Sequence, residues 1–187
     1  MITIYTKPED LLHLRFAYSP LMELVMSFRA LENPTRHTLY LPWIKEARQA
    51  LHGSEFPYME AVILAKHYIA DFLTPTPTTS SRSLEDDFQG LRATPDWIIR
   101  KNVLEVIAFS QHSDIRQQFL DFPLETLECL IEEMRLYWRQ TLARHWTNMV
   151  SVFGRRPFIP RSADGAGRQR CAAGEPQRNC ALPSAKT

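Results

Sequence analysis

Six side chains are the strongest candidates for ligand chemistry in this sequence. Arg15, Glu23 and Arg29 are charges set in or beside apolar runs. There a charge must either reach water or find a partner, so the three form an internal Arg–Glu pair or line a ligand pocket. His67, Tyr68 and Asp71 belong to the stretch His67-Tyr68-Ile69-Ala70-Asp71-Phe72. Its mixture of polar and aromatic side chains ahead of a loop is the composition small-ligand pockets use, although a loop packed against the bundle explains it better.

Other chemistries find little support. The histidines at 13, 37, 52, 67, 112 and 145 form no HExxH motif and no close pair with a third ligand, so no metal is expected. Only Gly53 and Gly90 precede residue 154, which leaves no phosphate-cradling loop and no dinucleotide fingerprint in the body. Ser19 lies in no G-x-S-x-G elbow and is expected to cap a helix. Glu85, Asp86 and Asp87 look like electrostatic trim at a helix start, and Cys129 like a small buried hydrophobe. No catalytic residue and no cofactor are expected.

These residues need helices to position them. Ser19-Pro20 combines a capping hydroxyl with proline at the first helical position. Leu21, Leu24, Val25, Phe28 and Leu31 then recur at three and four residues, and Asn33-Pro34 stops the helix. Before it, Ile2-Thr3-Ile4-Tyr5 alternates like a short strand, and Pro8 opens a helix through Phe16. Further helices are expected from Pro42 to about His52, from Phe56 to Lys66, from Ser83 through Leu91, from Pro95 to about Phe109 and from Asp114 to Phe119. The prolines and small polar residues of 74–82 make an internal loop.

Pro123 begins the longest pattern. Leu127, Ile131, Met134, Trp138, Leu142, His145 and Met149 fall three or four apart, with glutamates early and arginines late, as the helix dipole favours. One long helix is expected. Its stripe is either core or a homodimer seam formed by Ile131, Met134, Trp138, Leu142, His145 and Met149.

The fold class is therefore all-α, a multi-helix bundle over residues 1–153. No apolar run is long enough for a membrane span and no signal peptide is visible, so a cytoplasmic protein is expected. The net charge of +1 conceals a split. Residues 154–187 hold seven basic against two acidic residues, a balance of +5, leaving fifteen basic and nineteen acidic residues, −4, for 1–153. The body thus offers no broad footprint for a nucleic-acid backbone. After Gly154 the helical period stops without a cap. Either a disordered basic tail follows, or the reading frame has shifted and replaced an unrelated continuation; the abrupt loss of pattern fits the second better.

Several runs together carry a resemblance: Arg15-Phe-Ala-Tyr-Ser-Pro-Leu-Met-Glu-Leu, Ser27-Phe-Arg-Ala-Leu, Leu41-Pro42-Trp43, Tyr68-Ile-Ala-Asp-Phe-Leu-Thr-Pro75, and Tyr137-Trp138 with His145-Trp146. The set resembles the N-terminal domain of unknown function that precedes a winged helix-turn-helix in a group of ArsR-like bacterial transcriptional regulators. The resemblance covers about residues 1–153. It implies a helical regulatory region, an unknown small-molecule effector, a homodimer, and DNA contact made only through the winged helix. Residues 154–187 do not resemble that continuation, so the chain is expected to be a truncated or frameshifted regulator that keeps the sensing or dimerisation half.

Overall fold

The computed structural model describes residues 17–64, 68–76, 83–107 and 112–153, together with Thr3, Tyr5, Lys7 and Glu9. Arg15 and His67, the helix expected between Pro8 and Phe16, most of the 74–82 loop, and the 154–187 tail lie outside the described residues. Among the described residues eight α-helices follow one another: α1 (Pro20–Glu32), α2 (Leu41–Ala50), α3 (Pro57–Ile63), α4 (Leu84–Arg92), α5 (Asp96–Ile107), α6 (Ser113–Asp121), α7 (Pro123–Thr141) and α8 (Ala143–Phe153). Short 3-10 turns at Pro34–Arg36, Thr38–Tyr40 and Asp71–Leu73 join them. Among the described residues the fold is all-α. The expected N-terminal strand is absent at Thr3 and Tyr5, which have no regular structure, while Ile2 and Ile4 are not described.

The helix starts have identifiable causes. Proline occupies the first turn of α1, α2, α3 and α7, where its missing N–H costs no hydrogen bond. Ser83 caps α4 in a reciprocal box with Asp86, whose carboxylate accepts the Ser83 N–H at 2.9 Å while the Ser83 hydroxyl accepts the Asp86 N–H at 3.1 Å. After α2 the chain reverses at Gly53, whose φ of +80° is left-handed backbone that a glycine adopts without a Cβ clash.

α7 is the central strut, packing against α2, α3, α4, α5 and α6. It buries Leu127, Leu130, Ile131, Met134 and Tyr137, and Leu21, Leu24 and Phe28 of α1 join the same core. Tyr137 meets Phe28 edge-on at 5.3 Å between ring centroids and Phe56 at 5.8 Å. Its hydroxyl shares a hydrogen bond of 3.0 Å with Ser27 Oγ, so the ring is buried and its one polar atom is satisfied. Burial pushes that hydroxyl up to about 12.

Two expectations about the last helical pattern need correction, and part of its apolar stripe falls to the core alternative. The long helix is interrupted at Leu142, and the Thr141 hydroxyl bonds back to the Tyr137 carbonyl at 2.7 Å, a competition within the ladder that bends helices. The seam candidates Ile131, Met134 and Leu142 lie in the chain's own core and are closed to a partner. Trp138, His145 and Met149 are half-buried; Trp138 packs edge-on against Trp146 of α8 at 5.3 Å, and His145 Nε2 lies 3.1 Å from Glu46 Oε1. Cys129 is exposed, because inward positions 127, 130, 131 and 134 leave it off the buried stripe.

Candidate functional site

The residues singled out for a pocket do not assemble into one among the described residues. Glu23 is half-buried on α1, and burial pushes its carboxyl above the usual glutamate range. Arg29, on the same helix, donates from Nη1 to the Ile63 carbonyl at 2.6 Å. It thereby satisfies an end-of-helix acceptor of α3, the group a helix C-terminus leaves without an internal partner. Desolvation lowers the guanidinium from its ordinary value.

Tyr68 and Asp71 flank a segment held between α1 and α5. The Phe72 N–H donates to the buried Asn102 Oδ1 of α5 at 3.0 Å, and Phe72 and Leu73 enter the core. Tyr68 packs partly against that core; its hydroxyl is shut from solvent with no well-formed hydrogen bond. Desolvation, with the Glu105 and Asp71 carboxylates nearby, pushes it up to about 12. Asp71 itself is exposed.

The better-built polar site lies where α3, α6 and α7 meet. Pro57 begins α3, which leaves the N–H groups of Tyr58 and Met59 in need of acceptors. Glu133 of α7 supplies both, at 3.2 Å to Tyr58 N and 2.9 Å to Met59 N. Desolvation still raises its carboxyl above the ordinary value, the two backbone hydrogen bonds opposing that shift. One turn into α3, Glu60 Oε2 lies 2.9 Å from His112 Nε2 at the start of α6. Tyr58 reaches across to α6, its hydroxyl donating to Gln118 Oε1 at 3.3 Å. Burial, followed by contact with Cys129, raises the Tyr58 hydroxyl.

A hollow of about 330 Å³ opens beside this node, lined by Glu55, Phe56, Pro57, Glu60 and His112. Its acidic, aromatic walls suit a small cationic molecule better than an anion. None of its residues stood out by spacing. The available signal was Pro57 at a helix start with two donors to satisfy and glutamates elsewhere to satisfy them.

One acid of the Glu85-Asp86-Asp87 run, expected to be electrostatic trim, needs correction. Asp87 is 2% exposed and is structural rather than trim. Its Oδ2 accepts the Ser19 hydroxyl at 2.9 Å and the Leu21 N–H at 3.1 Å, while Ser19 Oγ accepts the Met22 N–H at 3.2 Å. Ser19 is thus the expected cap, and it is itself held by α4. Among the described residues no group of three or more His, Cys, Asp or Glu side chains is placed to hold a metal ion. No helix among them is long and apolar enough to cross a membrane.

Compared with protein-family models, curated proteins and solved structures, the chain matches none of them.

Proposed function

We propose that the helical body is the regulatory half of an ArsR-like transcriptional regulator, working by binding and not by catalysis, with DNA recognition assigned to a winged helix that this chain's residues 154–187 do not supply. The observation that carries this reading is what the resembling residues do. Ser19 caps α1, Leu21 and Leu24 fill the core, Phe28 and Tyr137 pack edge to face, and Phe72 and Leu73 fix the segment before the loop. These capping and packing roles support the reading only through the resemblance, which is carried by scaffold positions and implies a regulatory region.

The test is the nucleotide sequence after codon 153. The proposal expects a winged helix-turn-helix in one of the other two frames; coding potential for none in either frame overturns the frameshift reading. The chain as it stands should bind duplex DNA only weakly, without sequence preference and with steep salt dependence, through its seven basic tail residues. Tight, sequence-specific binding in an anisotropy titration would contradict that assignment.

One observation favours a second reading, a small-ligand-binding module without a DNA role. The hollow beside Glu60 and His112 has walls of fixed polarity. A thermal-shift screen of small organic cations separates the readings, since a ligand held only by the folded state raises the apparent stability with the logarithm of one plus its concentration over Kd. Loss of that shift in Glu60→Gln would place the ligand there.

A further inference from the structure

We infer that the chain self-associates head to tail, with an apolar, basic-rimmed knob at the start of α2 seated in an acidic-rimmed apolar hollow at the start of α7 of a second copy.

The knob is the turn Thr38–Tyr40 and the first residue of α2. Leu39 is 89% exposed, Tyr40 59% and Leu41 38%. Three consecutive large apolar residues left in water are unusual on a monomer and mark contact surfaces. Their surroundings are basic. Leu41, Lys45 and Arg48 follow one another at four and three residues along one stripe of α2, beside the buried Ile44 and Ala47, and all three are exposed. Arg36, in the preceding turn, is exposed as well. The side chains are held in place: Arg48 donates to the Leu31 carbonyl at 2.6 Å, and the His37 and Tyr40 rings stand 6.4 Å apart.

The complementary surface lies on the first two turns of α7. A hollow of about 340 Å³ is lined by Arg92, Leu124, Glu125, Leu127 and Glu128. Leu124 is half-exposed and Phe122, just before it, more so. Glu125 faces water, Glu132 is exposed and paired with Arg135, and Arg92 is paired with Glu128 through two hydrogen bonds of 2.8 Å, so three carboxylates against two guanidiniums leave this rim net negative. Leucine and tyrosine side chains of the knob match this floor, and Lys45 and Arg36 meet carboxylates around it. Matched potentials of this kind favour the right partner and disfavour two like surfaces meeting face to face.

One chain cannot make this contact with itself. Ser54, beyond the end of α2, bonds to Gln140 at 3.5 Å, and Glu46, within α2, reaches His145 at 3.1 Å. The path from Ser54 back toward Leu41 therefore runs away from the start of α7. Glu125 and Gln140 alone are separated by roughly 22 Å at 1.5 Å of rise per helical residue. Knob and hollow are different patches on one molecule, so the contact is heterologous and generates a ring or an open chain of copies.

The test uses the full chain and two variants. Leu39→Asp removes the knob and leaves the hollow; Leu124→Asp does the reverse. Both positions are solvent-exposed, and circular dichroism confirms the fold of each. In sedimentation velocity the unaltered chain should assemble with rising concentration and dissociate with added salt. Each variant alone should sediment as a single chain, whereas their mixture should form a one-to-one dimer, the intact knob of one filling the intact hollow of the other. A single-chain species for the unaltered protein at every concentration overturns the inference. So does a mixture that stays monomeric. Binding of phosphatidylserine vesicles or of an acidic peptide that Leu39→Asp abolishes, without self-assembly, also overturns it and assigns the knob to a foreign partner.

Discussion

Ser19 Oγ donates to Asp87 Oδ2 across 2.9 Å, and the same oxygen accepts the Leu21 N–H at 3.1 Å. One buried carboxylate thereby completes the start of α1 from within α4. Asp87→Ala should cost about 2–4 kcal/mol, because it deletes hydrogen bonds to a charged acceptor and strands a buried hydroxyl and a backbone N–H. Asp87→Asn keeps an accepting oxygen and should cost less. Ser19→Ala removes the cap and one of the two donors to Asp87, which keeps the Leu21 N–H, and should cost about 1–2 kcal/mol. Urea denaturation of the three variants gives this order; equal midpoints for Asp87→Ala and the unaltered chain would refute the role.

Tyr137 separates packing from hydrogen bonding. Tyr137→Phe keeps the edge-to-face contacts with Phe28 and Phe56 and loses the bond to Ser27, whose hydroxyl still donates to the Leu24 carbonyl at 2.8 Å. The expected loss is about 1 kcal/mol. Tyr137→Ala opens a cavity at the centre of the core and should cost about 3–5 kcal/mol, near the total stability of a marginal domain.

Glu23 should show itself in the pH dependence of stability. Its folded-state carboxyl is raised by burial, so the folded protein holds the proton to higher pH than the unfolded chain does. Stability from this group is complete below the ordinary glutamate range and is lost as pH rises through the folded value. Glu23→Gln should therefore be more stable than the unaltered chain near neutral pH, with the difference closing in acid. A denaturation series across pH that shows the opposite sign would mean that Glu23 is paired in the folded state.

The α4–α7 clamp should be weak and salt-sensitive. Arg135 donates to both oxygens of Glu85 at 2.9 Å, contacts Glu132, and lies 5.3 Å above the Phe88 ring. The carboxylates are well exposed, so Glu85→Gln should cost under about 1 kcal/mol and less at high salt. Arg135→Ala should cost more, since it also uncovers Phe88.

Cys129 should react with a thiol reagent in the native protein, without denaturant. Peptide mapping by mass spectrometry distinguishes it from Cys171 and Cys180. Protection of Cys129 until the chain unfolds would contradict its exposure on α7.

Helix starts were the most legible part of the sequence. Proline and a small polar cap act through neighbours in the chain, so Ser19-Pro20, Ser83-Leu84 and Pro123 could be read locally. The apolar periods of α1 and α7 were legible for the same reason, since spacing alone puts Leu24 and Phe28, or Leu127 and Met134, on one face. Partners distant in sequence were not. Asp87 and Glu133 resemble other surface acids until the fold brings helix starts 66 and 74–75 residues away into reach. Cys129 was misplaced because a long apolar stripe leaves a small residue at its edge undecided. The interruption at Leu142 was hidden because a threonine hydroxyl turned back on its own helix leaves the hydrophobic period intact.

The two acids that complete helices from a distance also set an order of events on the ribosome. A chain is made from its N-terminus, so α1 emerges well before Asp87 and α3 well before Glu133. Until those carboxylates leave the exit tunnel, the Leu21 N–H of α1 and the Tyr58 and Met59 N–H groups of α3 can be satisfied only by water. The nascent N-terminal third is therefore expected to remain loosely formed, and the body to consolidate late, in one step, once α7 is free to join it.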